Sequence, residues 1–530
     1  MPFPVAALTR RRLWLPAAVL VLCVSACGAG PSVRPDVAVV ERGDGATAEP
    51  TGTQGPPALA APVHDLNWQD CTRTTLDVLG LGPGPAGLVL ECAELAAPID
   101  AGGRIRGSFS LGALRARLPQ TPADAAPLVL TSGADRSSTS TLAALAAGPA
   151  APLLAARPLV AVDRRGIGTS TPIECLAPRG NPTLGKQMFD LGQFTAPPVA
   201  GGDAVDTVMA LGRDATTECT DFLQPQELAF DAAHAADDLE QLRTTWGVDR
   251  LGLLATGSGG DVALAFAAKH PGAVARLVLD SPATVRADAV TVAETRVRGQ
   301  EAALAAFARQ CAALACALGP DPHAAVLDLI HRAGAGQLRP ISTNALGAAL
   351  TDFLGSPRGD QQARIREFAD VLAAAGRGDT AGLSDLVGRA ASATDSDGQF
   401  VARCSDGQQW PTPGRVRELQ RDWGERYPAF GPDAALSLLL CASWPTTAAQ
   451  PTPSALSVPV LTIAGAADPV AGDGAASASG AVAAAGAPSS TLAWLGRGHP
   501  ASSHSECVQQ AVVTYVGTGT LPPDGGACPG

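Results

Sequence analysis

Apolar residues along this chain fall into two kinds of pattern. In the first, short and mostly apolar stretches recur at residues 108–117 (SFSLGALRAR), 127–130 (PLVL), 158–163 (PLVAVD), 251–255 (LGLLA) and 276–280 (RLVLD). Stretches of this length, bounded by Gly, Pro and polar residues, predict strands, several of them buried on both faces. Between them, residues 231–246 place Ala235, Leu239 and Leu242 at helical spacing, and residues 262–268 predict a second helix. Strands alternating with helices imply a parallel sheet with crossover helices. From about 281 to 450 the pattern changes to helical segments, such as residues 292–318, 323–333 and 361–375, with no clear strand among them. A helical insertion of this kind reads as a lid or cap. Strands resume at residues 458–465 (VPVLTIAG) and 491–495. The Ala, Gly and Ser run between them is expected to hold a helix, because a parallel connection needs one.

The N-terminus follows neither pattern. Arg10, Arg11 and Arg12 precede the apolar run LWLPAAVLVLCVSA, which is short for a membrane span and ends at Cys27-Gly28. This predicts an export signal. Val24-Ser25-Ala26-Cys27 resembles a bacterial lipobox, which would make Cys27 a lipid anchor after cleavage; an ordinary secretory signal is the alternative, and the arginines match a twin-arginine signal weakly. Residues 28–65, rich in Pro, Gly, Ala and Thr, read as a flexible tether.

With 530 residues the chain is too long for one core, so two structural units are expected. The expected division is a signal at 1–26, a linker at 27–66, a sheet domain at 67–282 and 451–530, and a helical cap at 283–450. The formal charge of −12 and pI near 5.1 argue against a nucleic-acid partner. The remaining partners expected are a peptide or small ester and, through Cys27, the outer face of a bacterial membrane.

Beyond Cys23 and Cys27 the cysteines are Cys71, Cys92, Cys175, Cys219, Cys311, Cys316, Cys404, Cys441, Cys507 and Cys528. An even set in an exported protein reads as disulfides. Spacing does not determine connectivity, and pairing of sequential neighbours is the working expectation. No CxxC pair occurs and His is sparse, so neither a metal nor a cofactor is expected.

The candidate chemistry lies at three strand ends. LGLLATGSGGDVALAF, starting at Leu251, resembles a nucleophile elbow, where a strand turns sharply into a helix. Asp468 in GAADPV and His499 in GRGHP follow the next two strands. They stand in the order and places of the acid and base of a Ser, Asp and His triad.

With WQDC at Trp68, CAELAAPID at Cys92, DRRGIGTSTPIEC at Asp163, AADDLEQLRTTWG at Ala235 and LVLDSP at Leu277, the chain resembles the secreted tripeptidyl-aminopeptidase-like α/β hydrolases of actinobacteria, which include mycobacterial lipoprotein proteases. CAALAC, CASWP, ADPV, RGH and the closing SECV to ACPG extend the likeness over nearly all of the mature chain. The resemblance implies an α/β-hydrolase fold with a mostly parallel sheet, helices on both faces and a helical cap, and hydrolysis of peptides from a free N-terminus or of esters. It also implies that acidic groups of the cap receive the peptide's amino end.

Three departures bear on mechanism. Aligned without gaps, the family's nucleophile falls on Gly257, leaving Ser258 to supply an oxyanion N–H; a one-residue slip would make Ser258 the nucleophile. The family's Gly-rich GGPG turn, whose N–H groups face the oxyanion, is replaced by TSGADRSS, with Gly133 its only glycine and remaining oxyanion candidate. The acid loop ADPVAGDG keeps Asp468 but lacks the family's Thr-Pro. Two functions therefore remain open: a hydrolase using His499, Asp468 and Ser258 or an activated water, and a pseudoenzyme that binds peptides or a cell-envelope partner in the retained cleft. Elsewhere, Gly166, Gly168 and Asp163 read as a structural turn, and His234 and His504 as solvent-facing or capping. Trp410, Trp423 and Trp444 read as packing within the cap in preference to lining a cleft.

Overall fold

The computed structural model describes residues 57–176, 182–191, 203–356, 361–445 and 448–530. The signal, Cys27 and most of the linker lie outside the described residues. Within them a single sheet is built from β1 (Gln69–Asp70), β2 (Val89–Pro98), β3 (Ser108–Arg117), β4 (Leu128–Thr131), β5 (Leu159–Val162), β6 (Leu251–Gly257), β7 (Val274–Pro282), β8 (Val460–Ala467), β9 (Ser489–Arg497) and β10 (Gly526–Cys528). The spatial order is β1-β2-β3-β5-β4-β6-β7-β8-β9-β10. The β1, β2, β3 and β5 neighbours pair antiparallel, and every pair from β5 to β10 is parallel.

Successive side chains of the central strands serve opposite faces, as a pleated strand requires. Leu253 and Ala255 of β6 enter one apolar cluster with the helices Ala232–Trp246, Gly259–Lys269 and Ala475–Ala484. Leu254 between them enters another, with the helices Ser138–Ala147, Ala151–Ala156 and Glu506–Thr518. Each fully buried leucine of this kind contributes about 1.5–3 kcal/mol relative to an exposed one. That double burial is why these strands read as apolar runs and not as alternating ones.

Every element of the cap's described residues between β7 and β8 is a helix, but the cap is larger than the expected 283–450. The helices Pro182–Phe189 and Ala204–Leu223 contribute Met188, Val205, Val208 and Cys219 to the same apolar cluster as Phe307, Phe368 and Trp423 of the insertion. The cap is therefore assembled from two separate stretches of chain. Trp423 and Trp444 are buried in this cluster and Trp410 packs against it.

The linker also ends earlier than residue 66. Arg276 Nη1 donates to the Pro57 carbonyl at 2.7 Å, Val63 N–H donates to Trp246 O at 2.8 Å, and Asp65 pairs with Arg115 at 2.6 Å. The stretch docks here both by accepting from the domain's arginines and by donating its own N–H groups to Trp246 O.

Disulfides join Cys71 to Cys92, Cys175 to Cys219, Cys311 to Cys316, Cys404 to Cys441, and Cys507 to Cys528, each cysteine to its neighbour along the chain.

Candidate active site

Three parallel strands deliver the candidate residues to one end of the sheet. β8 ends at Ala467 and presents Asp468; β9 ends at Arg497 and presents His499; β6 ends at Gly257 and turns into the helix Gly259–Lys269. Crevices at the carboxyl ends of parallel strands are where such folds place their ligands.

Asp468 and His499 form a buried pair, with Asp468 Oδ2 2.7 Å from His499 Nδ1. The other carboxylate oxygen accepts the N–H groups of Val470 at 2.8 Å and Ala471 at 3.0 Å, which holds the acid loop in place. Beyond His499, Asp280 at the end of β7 accepts the N–H groups of Ala501 at 3.1 Å and Ser502 at 2.9 Å. Burial disfavours the charged imidazole, but the charge of Asp468 and its hydrogen bond outweigh this and raise the His499 pKa above the ordinary value. The pair has the geometry of an oriented general base.

The geometry of the elbow decides the register. Gly257 has φ +55, a left-handed conformation that directs its missing side chain into the cleft. A Cβ built there would lie 3.4 Å from His499 Nε2 and 2.7 Å from Asp135 Oδ2. The place opposite the base therefore belongs to Gly257. Ser258, one residue on, adopts a right-handed helical conformation with φ −68. Its Oγ accepts the Ala134 N–H at 2.9 Å and reaches the Ser132 carbonyl at 3.5 Å. A slipped register with Ser258 facing His499 is not what the structure holds, because the turn has already rotated that side chain toward the loop after β4. Nor is Ser258 the side-chain cap of its helix: it occupies the N-cap position without a capping hydrogen bond.

The oxyanion donors are also not as expected. The Ser258 N–H is donated to Asp135 Oδ2 at 2.7 Å. The other oxygen, Asp135 Oδ1, receives Arg296 Nη2 from a cap helix at 2.6 Å. Burial pushes the Asp135 carboxyl up, but the Arg296 guanidinium and the Ser258 N–H outweigh it and hold the pKa below the ordinary carboxylate value. Gly133, with φ +64, packs under the elbow so closely that a Cβ would fall 2.4 Å from the Ser258 carbonyl carbon. Its role in the structure is this close approach.

Asp135, Arg296 and Arg403 were not among the residues singled out from sequence. Asp135 sits inside the TSGADRSS segment already marked as a departure, so the loss of glycine was legible there and the arrival of a carboxylate was the unused signal. Asp163, by contrast, holds its turn as expected, accepting from Ser137 Oγ at 2.9 Å, Thr139 Oγ1 at 2.7 Å and the Thr169 N–H at 2.9 Å. Its neighbours Arg164 and Arg165 make buried ion pairs, Arg164 with Asp406 of the cap at 2.6 Å and Arg165 with Asp238 at 2.8 Å. His504 is only partly exposed; its ring stacks on Trp494 with centroids 5.2 Å apart, and it stands at the C-cap of the short helix Ala501–Ser503, its N–H donated to Ala501 O.

Between this site and the cap lies a cavity of about 260 Å³, lined by Asp135, Arg296, Asp352, Asp395, Arg403 and Phe430 among others. Among the described residues no cluster of His, Cys, Asp and Glu could hold a metal ion.

A mostly parallel sheet with an elbow, an acid and a base at successive strand ends defines an α/β hydrolase. Residues 147–318 match the family model described as alpha/beta hydrolase fold, and residues 427–528 match the model of TAP-like protein. The chain thus has the α/β-hydrolase fold and carries a TAP-like C-terminal region. It is similar to the serine protease Hip1 of Mycobacterium tuberculosis (strain ATCC 25618 / H37Rv), 27% identical over 410 residues that cover 70% of this chain and 74% of that protein. The Hip1 of Mycobacterium bovis gives the same figures. Among solved structures, a thermophilic esterase from Thermogutta terrifontis aligns at 17% identity over 80% of this chain and 97% of its own, with a TM-score of 0.35. That likeness is too distant to bear on the site.

Proposed function

We propose that this chain is an exported, lipid-anchored member of its family that holds short peptides in the capped cleft without forming a serine acyl-enzyme. The observation that carries this reading is the Asp135 carboxylate seated on the Ser258 N–H beside Gly257. A serine hydrolase needs a hydroxyl opposite its base and free N–H donors for the oxyanion. Here the first place is a glycine and one donor is already spent on a negative charge. Losing a single such donor costs about 100- to 1000-fold in rate. Anchoring rests on the Arg10 to Arg12 cluster, the apolar run and the Val24-Ser25-Ala26-Cys27 signature. Peptides as ligands rest on kinship with Hip1, named as a serine protease, and on the acid-lined cavity under the cap.

A second reading is favoured by the intact Asp468 and His499 pair, which could activate a water in place of the missing hydroxyl. Both readings meet one experiment. The purified mature chain is treated with a fluorophosphonate probe, assayed with aminoacyl and short-chain ester substrates, and titrated with short peptides. Peptide binding without adduct or turnover is the expected result. Turnover without adduct that disappears in His499→Ala would establish the water mechanism, and an adduct on Ser258 would overturn both readings.

A further inference from the structure

The helix Asp397–Asp406 closes one side of the cavity, and all of its residues but one are buried or half-buried. The exception is Arg403, whose exposed side chain lines the cavity. The other two arginines there are neutralised, Arg136 by Asp352 at 2.9 Å and Arg296 by Asp135 at 2.6 Å. Arg403 makes neither a side-chain hydrogen bond nor an ion pair to any described residue. The like charge of Arg296 and the opposite charge of Asp395 both act on it. A guanidinium held this way gains most from an anion brought by a ligand.

We propose that Arg403 is the anchor for the carboxylate of a ligand, the free C-terminus of a short peptide. This rests on the reading of the cleft as a peptide site and limits it to peptides short enough to end inside the cavity. A planar monoanion suits the guanidinium fork, which can take both carboxylate oxygens at once. A doubly charged phosphate suits the cavity less, because Asp395 and Asp433 also line it and form no ion pair with an arginine among the described residues. The same two acids leave a negative region for a cationic group elsewhere on the ligand, so the cavity as a whole complements a zwitterion.

The test is calorimetric titration of the mature chain with trialanine and with trialanine amide. The free acid is expected to bind the wild type about tenfold or more tightly than the amide, the order of a charge-assisted hydrogen bond. In Arg403→Gln the two peptides should bind alike, at the affinity of the amide. Equal binding of both peptides to the wild type would overturn the proposal and leave the peptide-site reading standing. Binding of neither would end both. Competition against trialanine separates the anions: displacement by inorganic phosphate far below the acetate concentration needed would assign Arg403 to a phosphoryl group and overturn the carboxylate. If Arg403→Gln does not fold, the comparison on the wild type decides alone, with Arg403→Lys retaining the charge but losing the fork.

Discussion

Asp135 Oδ2 accepts the Ser258 N–H at 2.7 Å, so a carboxylate of the chain itself stands where the oxyanion of a tetrahedral intermediate would be stabilised. The elbow is therefore occupied from within. Restoring a hydroxyl alone should not restore chemistry, because a side chain at Gly257 meets the Asp135 carboxylate at 2.7 Å. Gly257→Ser is expected to remain unlabelled by a fluorophosphonate, whereas Gly257→Ser combined with Asp135→Gly should acquire a His499-dependent adduct. Mass spectrometry of the labelled peptide reads the difference. Labelling of Gly257→Ser alone would show that Asp135 leaves readily.

Asp135 should also matter for stability in a pH-dependent way. Its folded pKa is held below the ordinary value, so the stability it contributes is present above the unfolded pKa of about 4 and is lost as pH falls through the folded value. Asp135→Asn is expected to lower stability by about 1–3 kcal/mol at pH 7, since Arg296 loses its partner in a largely desolvated place. The gap between the two proteins should close below pH about 4. Denaturant melts at pH 7 and pH 3 would measure it.

His499 titrates the other way. Its pKa is raised in the folded state, so the stability from its charged form is complete below the unfolded value of 6.5 and is lost as pH rises through the folded one. Asp468→Asn removes the charge that raises it. The variant's His499 resonance should shift its titration to lower pH, and an unchanged titration would refute the pairing.

His504 favours the neutral ring. Burial pushes its pKa down to about 4, and its Nε2 lies 3.3 Å from the Gly355 carbonyl. The unfolded chain binds this proton first as pH falls from 6.5 toward 4, so the folded protein loses stability across that window. His504→Phe, which keeps a flat ring on Trp494, is expected to flatten the acid side of the stability profile. Thermal melts at intervals between pH 7 and pH 4 would show it.

The cap depends on its cross-links. Cys175 is bonded to Cys219 across 44 residues and Cys404 to Cys441 across 37, and all four lie in the cap's apolar cluster. Removing either bond by paired Cys→Ala substitution should cost about 2–4 kcal/mol. Because Cys404 is next to Arg403 on the same helix, the loss of that bond should weaken ligand binding as well, read by the trialanine titration.

Much of this was legible in the sequence because burial writes simple patterns. β6, β7 and β8 are covered on both faces, so they appear as apolar runs, and Asp468 and His499 follow their strands directly. The helix at residues 204–223 was less visible as part of the cap, since membership of a cluster depends on where the chain travels and not on local periodicity. The elbow register could be counted, but the partner of the Ser258 N–H could not. Asp135 is separated from it by 123 residues, and nothing local distinguishes an aspartate that reaches back across the cleft from one that faces water. Arg403 was illegible for the same reason: that no described residue pairs with it is a property of three dimensions.

The loops bearing Asp468 and His499 are stitched into the domain by Val470, Ala471, Ala501 and Ser502, with Asp280 holding the second. None of these bonds comes from the elbow, so the seating of the acid and the base does not depend on what stands at Gly257.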